Sequence, residues 1–231
     1  MDTRFWGPDG WKLLHSIAYK FPKNPNQKTK KIYSKFFNSL QHVLPCIYCR
    51  NSFAKYIKEL PVENYLKNKT TFFKWMYDMH NKVNNKLKNQ GLNKKTNPKL
   101  SEIKKFYKDY VNKNSFLKCN DAPGMIFIYS IIFNYPLNKD DFKTKTRIYQ
   151  HKIFLKLLGE LYPYEYFRNE YNSILKQTDF NKILQKRCLL KRWFYNIDKT
   201  LNEKCLSYNE RCKLIELYRA SCKKKTCRKK I

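Results

Sequence analysis

Two cysteines three residues apart form the most reactive pattern in this sequence. They lie in Pro45-Cys46-Ile47-Tyr48-Cys49, where the proline ends one predicted helix and the first cysteine begins the next. Side chains three apart on a helix lie roughly 5–6 Å from each other, which is within reach of a disulfide. A thiolate at a helix amino terminus is stabilised by the helix dipole and by free amide groups. The spacing therefore suits reversible thiol–disulfide exchange.

The same C-x-x-C pattern has two other uses, half of a zinc site and incidental burial. Zinc would need two further ligands, and the nearby histidines are His42 and His80, but no second C-x-x-C with zinc-ribbon spacing follows. No βαβ pattern surrounds the motif, so a thioredoxin-like core is excluded. Redox use therefore requires an electron acceptor of another kind.

Two further segments combine aromatic and polar side chains at helical spacing. The first runs from Phe5 to His15 and contains two tryptophans, and the second runs from Trp75 to Leu87. In the second segment a polar, aromatic edge lies opposite an apolar stripe and consists of Tyr77, His80, Asn81, Asn84 and Lys88. Such an edge suits a planar ligand that bears phosphate. Taken alone, a solvated helix face explains the second segment and ordinary core packing explains the first.

Helical periodicity predicts an all-α chain in which these motifs occupy separate helices. The amino-terminal part is expected to form a first helix that ends before Pro22 and further helices over 29–43, from Cys46 to about Pro61, from about Phe72 to Leu87, and over 100–111. A turn-like cluster at 121–124 indicates a domain boundary. We therefore predict two domains, 1–120 and 121–231, the second with helices at 125–134, 144–158, 164–177, 180–199 and 208–221.

The composition describes a folded and strongly basic chain. Its 231 residues include 42% hydrophobic and 16% aromatic side chains, more than a disordered chain carries, with a formal net charge of +31. That charge favours nucleic acid or an anionic surface as a partner, although an AT-rich genome explains the lysines equally well. A basic helical nucleic-acid-binding or scaffold protein is therefore the alternative function.

No targeting or membrane-spanning segment is predicted. Charged residues interrupt the first twenty positions, and the longest apolar run, from Met125 to Phe133, is shorter than the roughly 18 residues that span a bilayer. Eight cysteines without a signal peptide favour redox chemistry, a metal site or burial over a secreted disulfide scaffold. We expect core burial for Cys188, Cys205 and Cys212, with a Cys205–Cys212 disulfide as the alternative.

Taken together in this order, the three motifs resemble the Erv/ALR family of FAD-linked sulfhydryl oxidases. They read W-G-x-x-x-W-x-x-L-H, C-x-x-C and W-M-x-x-x-H-N-x-V-N-x-x-L, and the resemblance covers about residues 4–107. It implies a four-helix bundle with a short fifth helix that holds FAD at one end, followed here by a second all-α domain. It also implies a dithiol oxidase that passes electrons from Cys46 and Cys49 through the flavin to O2, giving H2O2.

The resemblance assigns individual roles by position. It implies that Cys49 contacts the flavin and that Cys46 faces the thiol of a substrate protein. The residues implied to bind FAD are Trp6, Gly7, Trp11, His15, Tyr19, Cys49, His80, Asn81, Val83, Asn84, Leu87 and Lys88. No metal is expected to bind. The chain is expected to form a homodimer.

The chain departs from the family pattern in two places. It lacks the additional structural cysteine pair of many members, which fits the viral, mimivirus-like branch and a virion or host-cytoplasm location. The turn after Leu87 is longer than usual, so Lys88, Lys95 and Lys99 compete for the phosphate role. A shuttle pair is common in the family, and Cys222 with Cys227 in the basic tail is the candidate, against a solvated tail with idle thiols.

Overall fold

The protein is built from helices throughout the part of the chain that the structure covers. The computed structural model describes residues 3–92, 95–114, 122–136, 142–202 and 205–220, and every regular element within these ranges is helical. The all-α prediction is therefore confirmed. None of the described helices is both long enough and apolar enough to cross a bilayer.

The first half contains five α-helices and one short 3-10 helix. Their bounds are α1 (Thr3–Tyr19), α2 (Gln27–Val43), α3 (Ile47–Glu59), the 3-10 helix (Val62–Tyr65), α4 (Lys69–Asn89) and α5 (Leu100–Asn114). Asparagine side chains cap two of these helices. Asn26 accepts from the Thr29 amide at the start of α2, and Asn68 forms a reciprocal capping box with Thr71 at the start of α4.

Aromatic rings hold this bundle together. Phe37 of α2 meets Trp75 of α4 edge to face at 5.2 Å between ring centroids, and Phe72 stacks on Trp75 at 5.5 Å. The Trp75 Nε1 donates to the carbonyl of Leu60 at 2.9 Å, which satisfies the buried indole. These contacts fix α4 against α2 and α3, while α1 and α5 pack on the other side of α4.

The second half packs directly on the first. Its helices are α6 (Met125–Phe133), α7 (Phe142–Leu161), α8 (Glu165–Lys176), α9 (Phe180–Ile183), α10 (Arg187–Leu201) and α11 (Tyr208–Ala220). Of these, α6 covers α1 and α7 covers α2. The predicted division between 120 and 121 lies outside the described residues and stays a prediction, while residues 122–124 of the turn-like cluster directly precede α6.

A close approach between α1 and α6 depends on a small residue and a carboxylate. A Cβ at Gly10 would lie 2.9 Å from the Phe127 ring, so the two helices meet where a side chain is missing. The Asp9 carboxylate accepts from the amides of Gly124 and Phe127 at 2.8 and 3.1 Å, which satisfies free donors at the start of α6. The predicted apolar helix at 125–134 is therefore confirmed as a buried element.

One predicted helix, 180–199, is wrong as a single element. Tertiary contacts divide it into α9 and α10, with Lys186 in an extended conformation between them. The Tyr135 hydroxyl donates to the carbonyl of Leu184 at 2.7 Å, and the Arg187 Nε donates to the carbonyl of Tyr135 at 2.6 Å. These bonds to a distant segment outweigh the local helical periodicity.

Candidate active site

The two cysteines of the C-x-x-C motif lie at the amino terminus of α3. Cys46 is the N-cap residue with extended backbone angles, φ −105° and ψ 132°, and Cys49 lies in the first turn. The Cys46 residue is 5% exposed, Cys49 is half-buried, and the intervening Ile47 and Tyr48 are 57% and 42% exposed. The pair therefore lies at the protein surface, although Cys46 itself is covered.

The carboxy-terminal half of α4 lies alongside this helix. Lys86 Nζ donates to Ser52 Oγ at 2.5 Å, and Lys82 pairs with Glu59 at 2.6 Å. Cys49 is one helical turn before Ser52 and therefore shares its face of α3. This face of α3 therefore lies beside the carboxy-terminal half of α4.

Five side chains from three helices form a compact group, which we call the imidazole cluster: Trp11, His15, Phe73, His80 and Tyr107. Trp11 and His80 stack with 3.9 Å between ring centroids and an interplanar angle of 11°. His15 and Tyr107 stack at 4.7 Å and 13°. The Phe73 ring meets His15 edge-on at 5.7 Å. The cluster thus consists of planar rings supplied by α1, α4 and α5.

The two histidines of this cluster are neutral at physiological pH. Burial lowers the pKa of His80 to about 4, and burial with the neighbouring His80 holds the pKa of His15 well below its usual range. Their rings share a hydrogen bond of 3.1 Å between His15 Nε2 and His80 Nδ1, in which one neutral ring donates and the other accepts. The buried His15 Nδ1 has no hydrogen-bond partner among the described residues.

A basic cleft of about 520 Å³ opens beside the cluster and shares Phe73 with it. Its lining residues are Tyr19, Lys69, Thr70, Phe73, Lys104, Lys105, Lys108 and Asp109. The Lys69 Nζ lies 3.7 Å from the centroid of the Tyr19 ring, a cation–π contact. Four lysines around one opening make a site suited to an anionic group.

The structure brings together some of the predicted site residues and separates others. Trp11, His15 and His80 meet in the imidazole cluster, and Tyr19 lines the adjacent cleft. Trp6 instead packs on Phe127 of α6, with 5.7 Å between ring centroids. Of the other predicted site residues on α4, Asn81, Val83, Asn84 and Leu87 are half-buried, whereas Lys88 is exposed. A Cβ at Gly7 would face open space.

Several residues of this site were not found from the sequence. Tyr107 and Phe73 belong to the cluster, and the lysines of the cleft are Lys69, Lys104, Lys105 and Lys108 rather than the three predicted to compete for phosphate. The spacing of Lys104 and Lys108 on α5 was the available signal, because residues four apart share a helix face. Tyr77 of the predicted polar edge donates to the carbonyl of Pro98 at 2.8 Å.

The remaining cysteines correct one expectation. Core burial is wrong for Cys188, which is exposed, and Cys205 and Cys212 are only half-buried free thiols. The Cys205 Sγ donates to the Asp198 carboxylate at 3.2 Å, so a local hydrogen bond takes the place of the alternative disulfide with Cys212. Cys222 and Cys227, the predicted shuttle pair, lie outside the described residues.

Comparison with known proteins identifies relatives for the first half. The model of the Erv1/Alr family matches residues 8–108. A probable FAD-linked sulfhydryl oxidase of Acanthamoeba polyphaga mimivirus is 38% identical over 85 residues, which are 36% of this chain and 59% of the relative. An FAD-linked sulfhydryl oxidase of African swine fever virus is 33% identical over 108 residues, which are 47% of this chain and 84% of the relative.

One solved structure is similar to the same part of the chain. The crystal structure of the yeast Erv1 core shares 32% sequence identity and a TM-score of 0.42, covering 47% of this chain and 86% of that one. The chain thus spans most of the African swine fever virus relative but only 59% of the length of the mimivirus relative. Each of these similarities covers less than half of this chain.

Proposed function

The chain belongs to the Erv1/Alr family, and on that premise we propose that it is an FAD-dependent thiol oxidase. It forms disulfides in substrate proteins and passes the electrons from Cys46 and Cys49 through the flavin to O2, which yields H2O2. The observation that carries the proposal is the placement of the C-x-x-C motif at the amino terminus of α3, beside the helix that bears His80 and Asn81. Relatives whose names describe this activity support it.

The residues present fit FAD in shape and in charge. Planar rings of the imidazole cluster offer stacking surfaces, and their neutral imidazoles can approach a flat ring system without burying a charge. The buried His15 Nδ1 would gain a hydrogen-bond partner in the cofactor. The lysines of the cleft suit the pyrophosphate.

Both groups of residues enter the proposed FAD site. From the sequence we retain Trp6, Gly7, Trp11, His15, Tyr19, Cys49, His80, Asn81, Val83, Asn84, Leu87 and Lys88, and from the structure we add Phe73, Tyr107, Lys69, Lys104, Lys105 and Lys108. Trp6 has the least structural support among these residues, because its ring packs on α6.

The proposed exchange proceeds at the two sulfurs of α3. A substrate thiolate attacks Cys46 Sγ, the Cys46–Cys49 bond breaks, and Cys49 leaves as a thiolate. A second substrate thiolate then attacks the substrate sulfur of the mixed disulfide, which releases the oxidised substrate and the Cys46 thiolate. When bound, FAD would supply the acceptor for the two electrons of the Cys46–Cys49 dithiol and their route to O2. The helix amino terminus stabilises each thiolate as it forms.

Access to Cys46 sets a condition on this exchange. The 5% exposure of Cys46 means that an incoming thiolate must displace part of the cover, and the adjacent Ile47 and Tyr48 are the exposed side chains at that place. A flexible substrate segment suits such an approach better than a rigid surface does. We therefore propose that extended or unfolded cysteine-containing segments are the preferred substrates.

The test of the function uses flavin content and oxygen consumption. The purified chain should carry FAD with its visible absorbance and consume O2 in the presence of dithiothreitol. Cys49→Ser should lower turnover at least about 1,000-fold while FAD stays bound, since the nucleophile for the flavin is lost. The matched control is Cys188→Ser, the same change at an exposed thiol, which should retain full activity.

A trapping experiment separates the roles of the two cysteines. Incubated with glutathione disulfide, Cys49→Ser should accumulate a mixed disulfide between Cys46 and glutathione and release one reduced glutathione, because no neighbouring cysteine remains to resolve it. Cys46→Ser should trap less. Oxygen consumption that survives Cys49→Ser contradicts the proposed function, and stronger trapping in Cys46→Ser reverses the assigned roles.

The setting of the enzyme is also proposed. Viral relatives support a virion or host-cytoplasm location, and the Cys222–Cys227 shuttle stays a prediction. A homodimer is expected, and its interface would use a surface other than the faces of α1 and α2 that α6 and α7 cover. Binding of nucleic acid or an anionic surface, predicted from the +31 charge, would be a secondary property.

A further inference from the structure

The turn that leads into the C-x-x-C motif is held by an arginine from the motif's own helix. Arg50 directly follows Cys49, and its Nη1 donates to the carbonyl of Leu44 at 2.8 Å. The guanidinium therefore bridges the segment on both sides of the two cysteines. Burial lowers the pKa of Arg50, and interaction with the Cys46 and Cys49 sulfurs opposes that shift.

A second arginine reaches the same turn from the other half of the chain. Arg147 of α7 donates from Nε to the carbonyl of His42 at 3.2 Å and from Nη2 to the carbonyl of Asn134 at 3.3 Å. His42 lies in the last turn of α2, four residues before Cys46. One guanidinium therefore joins the ends of α2 and α6. The stacking of Phe36 on Phe154 at 5.2 Å between ring centroids fixes α7 along α2.

The other titratable groups around the turn leave the two arginines as its main charges. Burial, with Arg147 and Arg50 nearby, lowers the pKa of His42. Burial lowers the pKa of His151 of α7 to about 3. Both imidazoles are therefore neutral at physiological pH. From α4, Lys86 binds Ser52 one turn beyond Cys49 and adds a more distant positive charge.

We propose that Arg147, together with Arg50, positions the turn that leads into the C-x-x-C motif and stabilises the thiolates of Cys46 and Cys49. The second half of the chain thereby tunes the reduction potential of the dithiol. The inference rests on the proposed function. A cation near a thiol lowers its pKa and stabilises the reduced form. A stabilised reduced form makes the disulfide a stronger oxidant of substrate thiols. Both arginines are positioning residues in this account.

The test of this inference measures the equilibrium between glutathione and the Cys46–Cys49 disulfide. Two molecules of reduced glutathione supply two electrons and two protons to the Cys46–Cys49 disulfide, which gives the dithiol and one molecule of glutathione disulfide. Differential alkylation followed by mass spectrometry reads the reduced fraction at Cys46 and Cys49 separately from the other six cysteines of the eight. The full chain with its flavin reduced beforehand and O2 excluded is used throughout.

The variants come in matched pairs on the same helices. Arg147→Gln is compared with Lys145→Gln on α7, and Arg50→Gln with Lys55→Gln on α3. Each of these four variants removes one positive charge, and the two lysines are exposed. The conservative variant Arg147→Lys keeps the charge near the turn.

We expect the arginine variants to disfavour the dithiol. Arg50→Gln should shift the glutathione equilibrium about tenfold toward the disulfide, which corresponds to about 30 mV for a two-electron couple. Arg147→Gln should shift it about threefold, and Arg147→Lys by less. Each shift should grow from pH 5 to pH 8, because the arginines stabilise the thiolate, and well below the thiol pKa the reduced pair is fully protonated in wild type and variant alike. A purely structural role would not produce that pH dependence.

Two results would overturn the inference alone. Equal potentials for Arg147→Gln and Lys145→Gln, in variants with unchanged far-ultraviolet circular dichroism and flavin content, would remove the role of α7. A shift independent of pH would replace thiolate stabilisation by simple loss of structure. If the wild-type pair forms no disulfide at all in oxidising glutathione, the inference falls together with the proposed function, whereas the first two results leave the function intact.

Discussion

Buried polar groups are treated differently in the two halves of the molecule. In the second half the four most deeply buried phenols donate to groups of the same half: Tyr135, for example, donates to the carbonyl of Leu184 at 2.7 Å, and Tyr171 to that of Leu155 at 3.0 Å. In the first half the buried His15 Nδ1 and Trp6 Nε1 have no partner among the described residues.

Position, rather than the mere presence of unsatisfied atoms, separates the halves. The second half also carries buried polar atoms without a partner in the described part of the chain, on Ser130, His151, Tyr164 and Arg211. The His15 atom, however, lies among stacked planar rings beside a basic cleft. The comparison indicates that the deeply buried phenols of the second half serve internal structure, whereas His15 of the first half keeps a ring nitrogen for a ligand.

The largest effect expected on ligand binding is a loss of FAD affinity, and its absence would contradict the comparison. Trp11→Ala removes the ring that stacks on His80. We expect FAD affinity to fall about 10- to 100-fold, because stacking on an aromatic side chain contributes roughly 1–3 kcal/mol. Titration of FAD into the flavin-free protein, followed by fluorescence, measures the change.

The matched control is a tryptophan of the second half. Trp193 is half-buried and donates from Nε1 to Thr178 Oγ1 at 3.0 Å. Trp193→Ala should lower the free energy of unfolding and leave FAD affinity within about twofold of wild type. An equal loss of FAD affinity in both variants would mean that the two halves do not differ as described.

The next effect concerns a buried carboxylate in the second half. Asp198 is 1% exposed and accepts from Tyr129, Cys205 and Arg211 at 2.7, 3.2 and 2.9 Å. Asp198→Ala should reduce the free energy of unfolding by about 3 kcal/mol, because it leaves a largely buried guanidinium without its counter-charge. Urea unfolding monitored by circular dichroism gives the value.

A first-half ion pair supplies the control for that measurement. Asp78 pairs with Lys74 at 2.6 Å, but the lysine side chain is 56% exposed. Asp78→Ala should change the free energy of unfolding by no more than about 0.5 kcal/mol, since water and salt screen such pairs. Similar losses in the two variants would show that Asp198 is not the structural centre that its contacts indicate.

The sequence predicted the elements that carry local signals. The motifs around Trp11, Cys46 and His80 lie on α1, α3 and α4 as expected, because their periodicity and prolines act over a few residues. The apolar run of α6 was identified for the same reason. The bounds of these helices required no tertiary information.

Features that depend on distant contacts could not be predicted. Tyr107 joins the imidazole cluster only because α5 packs against α1, and its sequence reads as an ordinary amphipathic helix. Arg147 donates to the carbonyl of His42, which lies 105 residues earlier in the sequence, and nothing local indicates this partner. The division between α9 and α10 likewise depends on Tyr135, which lies far away in the sequence.

The smallest expected effect sharpens the comparison most, because two similar changes should act on different quantities. Tyr171→Phe removes a hydroxyl bonded within the second half and should cost about 1 kcal/mol of unfolding free energy, with FAD affinity unchanged.

His15→Phe replaces a buried ring that has an orphaned nitrogen. In the flavin-free protein it should leave the free energy of unfolding within about 1 kcal/mol of wild type, because removing an unsatisfied buried nitrogen offsets the lost bond to His80. Its FAD affinity should nevertheless fall. Urea unfolding and FAD titration on both variants check this, and a His15→Phe protein that binds FAD normally would make His15 a structural residue like Tyr171.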